Sequence, residues 1–257
     1  MAQQLSRPIP GLHDHPMDHR QLAIVPAYNE EASIARVIER LRSSAPGFDV
    51  LVIDDGSIDD TARVAEAAGA RVVIHPINLG IGGAVQSGYL FAEANDYDMA
   101  VQVDGDGQHP PRELSKLVAR LEQEPAVDMV TGSRFLGEGD YRQSFMRRLG
   151  GHFFSTLLSV ITRQKVTDPT SGFRLANRRA IELFAHDYPH DYPEVEAILM
   201  MHRHELKTAE VPVQMDEREG GRSSITPLHS GYYMLKVLLA VFVGLFRARS
   251  LPKEAPQ

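Results

Sequence analysis

The stretch Asp49–His75, DVLVIDDGSIDDTARVAEAAGARVVIH, decides the fold. DVLVID (Asp49–Asp54) is a short apolar run bounded by acids and reads as a buried strand. DDTARVAEAAG (Asp59–Gly69) reads as a helix, with Asp59 or Asp60 near its cap and Gly69 at its end. RVVIH then reads as another strand. A strand, a crossover helix and a second strand imply a parallel pair with the helix packed on one face.

The same alternation continues on both sides. Upstream, QLAIVP (Gln21–Pro26) reads as a strand, and EASIARVIERLRSS (Glu31–Ser44) carries apolar residues at 34, 37, 38 and 41, a helical stripe. Downstream, GGAVQSGYLFAEA reads as a helix, MAVQVD as a strand, PRELSKLVARLEQ as a proline-started helix and DMVTGS as a fifth strand. The expected fold class is therefore α/β, a mostly parallel sheet with helices on both faces. FMRRLGGHFFSTLLSVIT (Phe145–Thr162) reads as a helix, with Leu149, Phe153, Leu157 and Ile161 along one stripe and Phe154 and Leu158 beside it.

Composition narrows the possible chemistry. The chain has 257 residues, 43% hydrophobic and 24% charged, enough for one large α/β domain. Its net charge of -7 removes any bulk attraction to nucleic acid. With no cysteine there is no disulfide framework and no thiolate chemistry, which fits a reducing compartment. The N-terminus, MAQQLSRPIPGLHDHPMDHR, lacks a signal-peptide apolar core and reads as a loose arm over residues 1–20. Its histidines, His13, His15 and His19, lack metal-site spacing, so no zinc site is expected. No run reaches the roughly 18 to 20 apolar residues of a membrane span. The nearest, Tyr232–Phe246, is shorter and carries Lys236.

In open α/β sheets ligands bind beyond the carboxyl ends of the strands. Those ends here read PAYNE, DDGS, HPINLG, DGDGQ and GSRF, which is where the polar residues gather. Asp104 and Asp106, with one glycine between them, repel each other unless a cation lies near. Residues i and i+2 of a strand share a face, and an oxygen-only pair suits Mg²⁺ or Mn²⁺ completed by substrate phosphates. A solvated turn is the plain alternative for an isolated D-G-D. Asp54 and Asp55 at a second strand end, and Tyr28, Asn29 and Glu30 at a third, favour a nucleotide site: a ring for stacking, acids for base and ribose, a metal for a diphosphate. The absence of G-x-G-x-x-G after the first strand and of G-x-x-x-x-G-K-[ST] disfavours a dinucleotide fold and a P-loop.

In this order, PAYNE, VIDDGSIDDT, NLGIGGAV and QVDGDGQH resemble a family 2 glycosyltransferase of GT-A fold. TDPTSGFR and EREGGRSSI narrow the resemblance to enzymes similar to dolichol-phosphate mannose synthase and bacterial polyprenyl-phosphate glycosyltransferases. It spans about Leu22 to Ile225. It implies a catalytic domain over 21–226 and an apolar C-terminal helix and tail over 227–257 facing a membrane or a partner. It implies a metal motif of Asp104, Asp106 and Gln108, and a nucleoside pocket of Pro26, Tyr28, Glu30, Asp54 and Asp55, with Asp104 also on the nucleotide. Arg134, Arg148, Arg174 and Arg218 match positions that bind or surround an acceptor phosphate. Arginine suits that task because its planar fork makes paired charge-assisted bonds.

The activity so implied is metal-dependent, inverting transfer of a sugar from a nucleoside diphosphate sugar to polyprenyl phosphate, for cell-wall or surface glycan synthesis. Asp106, Asp168, Arg134 and Arg148 are the expected catalytic residues, with Asp168 the acid favoured near the reacting centre. The alternative is extension of a lipid-linked or cell-wall glycan through a sugar hydroxyl. That reaction needs a positioned base, for which Asp168, Asp191, Glu194 and Glu196 are candidates. A third reading is an inactive regulatory subunit, which the intact metal motif opposes. The Phe145–Thr162 helix and the Tyr232–Phe246 segment are expected to lie amphipathically at the bilayer interface, with Arg147, Arg148, Arg247 and Arg249 meeting anionic headgroups. The expected location is cytoplasmic, peripheral on the inner face of the membrane. Relatives often carry transmembrane helices after this domain, so a small integral membrane protein is a candidate anchor. No nucleic-acid partner is expected.

Overall fold

The computed structural model describes residues 19–136, 145–190 and 192–216, with residues 145–152 given by their backbone alone. Seven strands form one sheet: β1 (Gln21–Ala27), β2 (Phe48–Asp54), β3 (Arg71–Ile74), β4 (Met99–Gln102), β5 (Met129–Ser133), β6 (Arg174–Asn177) and β7 (Thr208–Pro212), in the order β3-β2-β1-β4-β6-β5-β7. The helices are α1 (Ile34–Ser44), α2 (Thr61–Ala67), α3 (Gly80–Ala94), α4 (Leu114–Gln123), α5 (Phe145–Thr162), α6 (Arg178–His186) and α7 (Pro193–Arg203). A 3₁₀ turn, Pro111–Glu113, leads into α4.

All five strands read from sequence are present, and both faces of the sheet are covered. Along β1 the side chains alternate between two cores. Leu22 and Ile24 join Leu51, Ile53, Val85, Tyr89, Ile181 and Phe184. Ala23 and Val25 join Val37, Ile38, Leu41, Leu114, Leu117 and Leu175. Period-two alternation with both sets buried is the signature of a sheet covered on both sides.

The second half departs from the sequence reading. β6 enters antiparallel between β4 and β5, and β7 extends the sheet parallel to β5. The sequence reading contains neither strand, nor α6. β6 is only four residues, RLAN, and β7 is a half-buried edge, so neither shows a clear apolar run. The β4–β6 register places Arg174 opposite Gln102, at the same sheet end as the D-G-D run. The stripe expected on α5 also shifts: Phe154 and Leu158 are buried with Val195, Ile198 and Leu199 of α7, whereas Phe153 is 46% exposed. Among the described residues no helix is long and apolar enough to cross a membrane.

Candidate active site

Three neighbouring loops leave the carboxyl ends of β1, β2 and β3 and are stitched into one wall. The β1–β2 ladder ends at Ala27 and Asp54, and the Asp55 N–H donates to the Ala27 carbonyl at 2.9 Å. Beyond it, the Asn29 N–H donates to Ser57 Oγ and the Ile58 N–H donates to Asn29 Oδ1, each at 2.9 Å. Asp54 Oδ1 accepts from the Ser57 N–H at 2.9 Å, and the Glu30 N–H donates to Thr61 Oγ1 at 2.8 Å. Gly56 has φ +74, and a Cβ there would come within 2.9 Å of the Ile77–Asn78 backbone, so only glycine lets the second and third loops touch.

Asp54 and Asp55 take different tasks. Asp55, expected in the nucleoside pocket, is 3% exposed and accepts from the Leu79 and Gly80 N–H groups, both at 2.8 Å, at the start of α3. Its Oδ1 also meets His75 Nδ1 at 2.7 Å, and His75 Nε2 meets Ser87 Oγ at 3.0 Å. The Ser–His–Asp connectivity is that of a nucleophilic triad, but His75 is 1% and Ser87 5% exposed. No substrate reaches that serine, so the group serves as an internal strut. With its oxygens on backbone N–H groups and imidazole, Asp55 anchors the start of α3. Tyr28, by contrast, stands 48% exposed just past the end of β1, whose penultimate residue is Pro26.

The D-G-D run follows β4. The Asp104 side chain is 35% exposed, with Oδ1 accepting from Gln102 Nε2 at 3.1 Å. The Asp104 N–H donates to His109 Nδ1 at 3.0 Å, which leaves the His109 proton on Nε2, 3.5 Å from Asp104 Oδ2. His109 is itself fixed against Phe173, with ring centroids 5.2 Å apart. Asp106 is nearly buried, and its Oδ1 accepts from the Gln108 N–H at 3.0 Å. The Gln108 carbonyl accepts from the Asp216 N–H at 3.0 Å, and Asp216 pairs with Arg40 and Arg112. Ser33 Oγ lies within bonding distance of the Gly105 carbonyl (2.8 Å) and of Glu30 Oε2 (2.7 Å), joining this turn to the β1 loop. Among the described residues no three His, Cys, Asp or Glu side chains converge on one point. The donor set of Asp104 and Asp106 fits a hard divalent cation whose remaining positions go to substrate oxygens and water.

The third wall comes from β5, β6 and β7. Asp168 is fully buried, and its carboxylate takes one edge of the Arg134 guanidinium in a bidentate pair: Nε to Oδ2 and Nη2 to Oδ1, each at 2.7 Å. The Arg134 N–H adds a bond to Oδ2 at 3.0 Å, and Nη2 reaches Thr170 Oγ1 at 2.8 Å. Behind them, Glu210 of β7 accepts from the Thr167 N–H, the Thr167 hydroxyl and the Asp168 N–H. With no exposed surface and both oxygens on the guanidinium, the Asp168 carboxylate holds Arg134 in place in this structure.

Arg174 is 2% exposed, and its guanidinium donates to the carbonyls of Ser171, Pro169 and Glu194 at 2.8, 3.3 and 2.6 Å, which ties α7 to β6 and leaves its buried Nη1 without a hydrogen-bond partner among the described residues. That tie brings Glu194 to the site. Burial pushes its carboxyl above the ordinary glutamate range, Arg174 pulls it back, and the charge of Asp104 adds to the rise.

Several expected residues fall elsewhere. Arg218, Asp191, Tyr232–Phe246, Arg247, Arg249 and the 1–18 part of the arm lie outside the described residues, as do the side chains of Arg147, Arg148 and Leu149. Sequence reading missed Ser33, His109, Glu210 and the Asp55–His75 pairing. His109 alone carried a local signal, standing five residues after Asp104 in the DGDGQH run. The other three depend on contacts 20 or more residues apart in the chain.

Comparison with known proteins agrees with this geometry. Residues 22–184 match Glycosyl transferase family 2. Over 216 residues the chain is 32% identical to an undecaprenyl-phosphate mannosyltransferase of Micrococcus luteus, covering 80% of this chain and 88% of that one. It is 28% identical over 228 residues to a polyprenol monophosphomannose synthase of Mycolicibacterium smegmatis, covering 85% of each. The fold matches glucosyl-3-phosphoglycerate synthase from Mycobacterium tuberculosis, solved with Mn²⁺, uridine diphosphate and phosphoglyceric acid, at a TM-score of 0.68 and 23% identity over 90% of this chain and 80% of that one. With its GT-A sheet and the match across its catalytic core, the chain belongs to glycosyl transferase family 2 and is a glycosyltransferase.

Proposed function

We propose that this enzyme transfers a hexose from a nucleoside diphosphate sugar to polyprenyl phosphate, with inversion, at the inner face of the membrane. The observation that carries this reading is the commitment of Asp168. Asp168, one of the candidate bases for a hydroxyl acceptor, is buried and holds Arg134. A hydroxyl acceptor needs a base, whereas a phosphate monoester, with a second pKa of about 6, is largely dianionic near neutral pH and attacks unaided. The names of the two relatives, both sugar transferases to a lipid phosphate, support the same acceptor class.

In the reaction, an acceptor phosphate oxygen bonds to the anomeric carbon from the face opposite the leaving group. The bond from that carbon to the diphosphate breaks as the new one forms, and the nucleoside diphosphate departs with the electron pair. Arg134, locked by Asp168, offers a fixed positive charge to the acceptor phosphate. Arg148 and Arg218 are the further candidates for that phosphate. Tyr28, Pro26, Glu30 and Asp54 hold the nucleoside, with Asp104 beside the diphosphate. Asp104 and Asp106, with Gln108, would hold a Mg²⁺ or Mn²⁺ ion, which supplies neutralisation of charge on the departing diphosphate.

A second reading stays open on one observation: Glu194, with its raised carboxyl near Asp104, has the character of a base for a hydroxyl acceptor. The two separate on the product. A radiolabelled sugar that becomes lipid-extractable and mild-acid-labile when the acceptor is polyprenyl phosphate supports the first. Arg148→Ala is expected to lower catalytic efficiency with that acceptor by roughly ten- to a hundredfold, the worth of one charge-assisted hydrogen bond, with donor affinity unchanged. Label transfer only to a glycan hydroxyl, lost in Glu194→Gln, sinks the first reading in favour of the second.

A further inference from the structure

We infer that Asn29 is a positioning residue of the donor site, a latch that sets nucleotide affinity by fixing Tyr28 and Asp54 relative to each other. The inference rests on the proposed nucleoside pocket. Asn29 has φ +56, in the left-handed region that asparagine tolerates better than other side chains that bear a Cβ. That turn aims its side chain back across the gap between the first two loops.

Two bonds close the gap in opposite directions. The Asn29 N–H donates to Ser57 Oγ, and Asn29 Oδ1 accepts from the Ile58 N–H, both at 2.9 Å. The circuit then returns to the site, because the Ser57 N–H donates to Asp54 Oδ1 at 2.9 Å. One residue therefore couples the backbone next to the exposed Tyr28 ring to the carboxylate of Asp54. The parallel ladder cannot do this, since β1–β2 pairing stops at Ala27 and Asp54. A ring that is 48% exposed gains no rigidity from the core, so its direction depends on the backbone that carries it. Preorganising ring and acid removes an ordering cost from binding, and the loss should appear in affinity rather than in turnover.

Asn29→Gly keeps the left-handed turn and removes the side-chain acceptor, Asn29→Ala removes both, and Ser57→Ala cuts the reciprocal bond from the other loop. Each is titrated with a nucleoside diphosphate and Mg²⁺ in the absence of acceptor, alongside donor kinetics and thermal unfolding. The expected result is a three- to tenfold weaker nucleotide for Asn29→Gly and Ser57→Ala, about the worth of one hydrogen bond. Asn29→Ala should lose more. Donor KM should rise in parallel, with kcat within about twofold. The Asn29→Gly/Ser57→Ala double variant should lose less than the product of the single losses, because both act on one latch. Tyr28→Ala and Asp54→Asn are the controls. If they weaken the nucleotide while Asn29→Gly and Ser57→Ala do not, the latch is refuted and the pocket stands. If none of the four moves nucleotide affinity, the donor pocket itself is wrong. A fall in kcat that tracks melting temperature, with KM unchanged, also overturns the inference.

Discussion

Charge at single positions decides most of the chemistry. Asp106→Asn removes one unit from a two-carboxylate site while keeping an oxygen to accept from the Gln108 N–H. Folding should survive, and turnover with Mg²⁺ or Mn²⁺ should fall on the order of 10²-fold or more. Near-normal turnover at limiting metal would remove these carboxylates from the metal site. Asp168→Asn strips the counter-charge from Arg134. Breaking a buried pair on one side costs up to about 3–5 kcal/mol, so the melting temperature should drop and acceptor KM should rise, while nucleotide affinity holds. Calorimetry and acceptor kinetics on the same preparation check both. Glu194 makes a pH prediction. Its raised carboxyl means the folded state holds this proton more tightly than the unfolded chain, so its contribution makes stability fall as pH climbs from the ordinary glutamate range through the raised value. Glu194→Gln should flatten that decline in urea midpoints measured across the range. An unchanged slope would show that the shift does not govern stability.

At the scale of elements, the close approach of α3 to β1 sets how the third loop meets the site. A Cβ at Gly88 would lie 2.3 Å from Ile24 Cγ2, on a strand that cannot retreat because β2 and β4 flank it. Gly88→Ala should therefore destabilise by about 1–3 kcal/mol despite alanine's better helix propensity. Thermal unfolding measures this, and a neutral or stabilising outcome would mean that α3 shifts freely. The same helix begins at Leu79–Gly80 on the Asp55 carboxylate, so its placement carries through to the wall of the pocket. On the other side, β6 matters less as a strand than as the carrier of Arg174, which fixes α7 and with it Glu194.

For the whole molecule, the proposed lipid acceptor would require an acidic protein to approach a membrane. The net charge of -7 opposes an anionic membrane, so any attraction has to be local. In the sequence, the arginine pairs Arg147/Arg148 and Arg247/Arg249 lie at the two apolar segments and are the proposed local source. Flotation with anionic liposomes should show binding that weakens at high salt, since exposed basic contacts are screened over about 10 Å at 0.1 M. Replacing Arg147 and Arg148 by glutamine should lower the floated fraction. Failure to float at any ionic strength would remove the interfacial reading.

The sequence by itself determined the α/β class, the five strands with strong apolar runs and the strand ends where chemistry gathers. These are local properties: a buried strand writes its own run, and a catalytic turn after it writes its own acids. The D-G-D turn and the exposed Tyr28 were legible for that reason. Only the tertiary structure decided which partner each acid and arginine meets. Asp54 and Asp55 are adjacent, yet one faces the pocket loop and the other is consumed by α3 and His75. Asp168 and Arg134 are 34 residues apart, yet each is the other's partner, so what one does depends on the other. Arg174 is buried only because β6 inserts antiparallel between β4 and β5. Burial and pairing arise from contacts between distant segments, and no local pattern records which charge will find which partner.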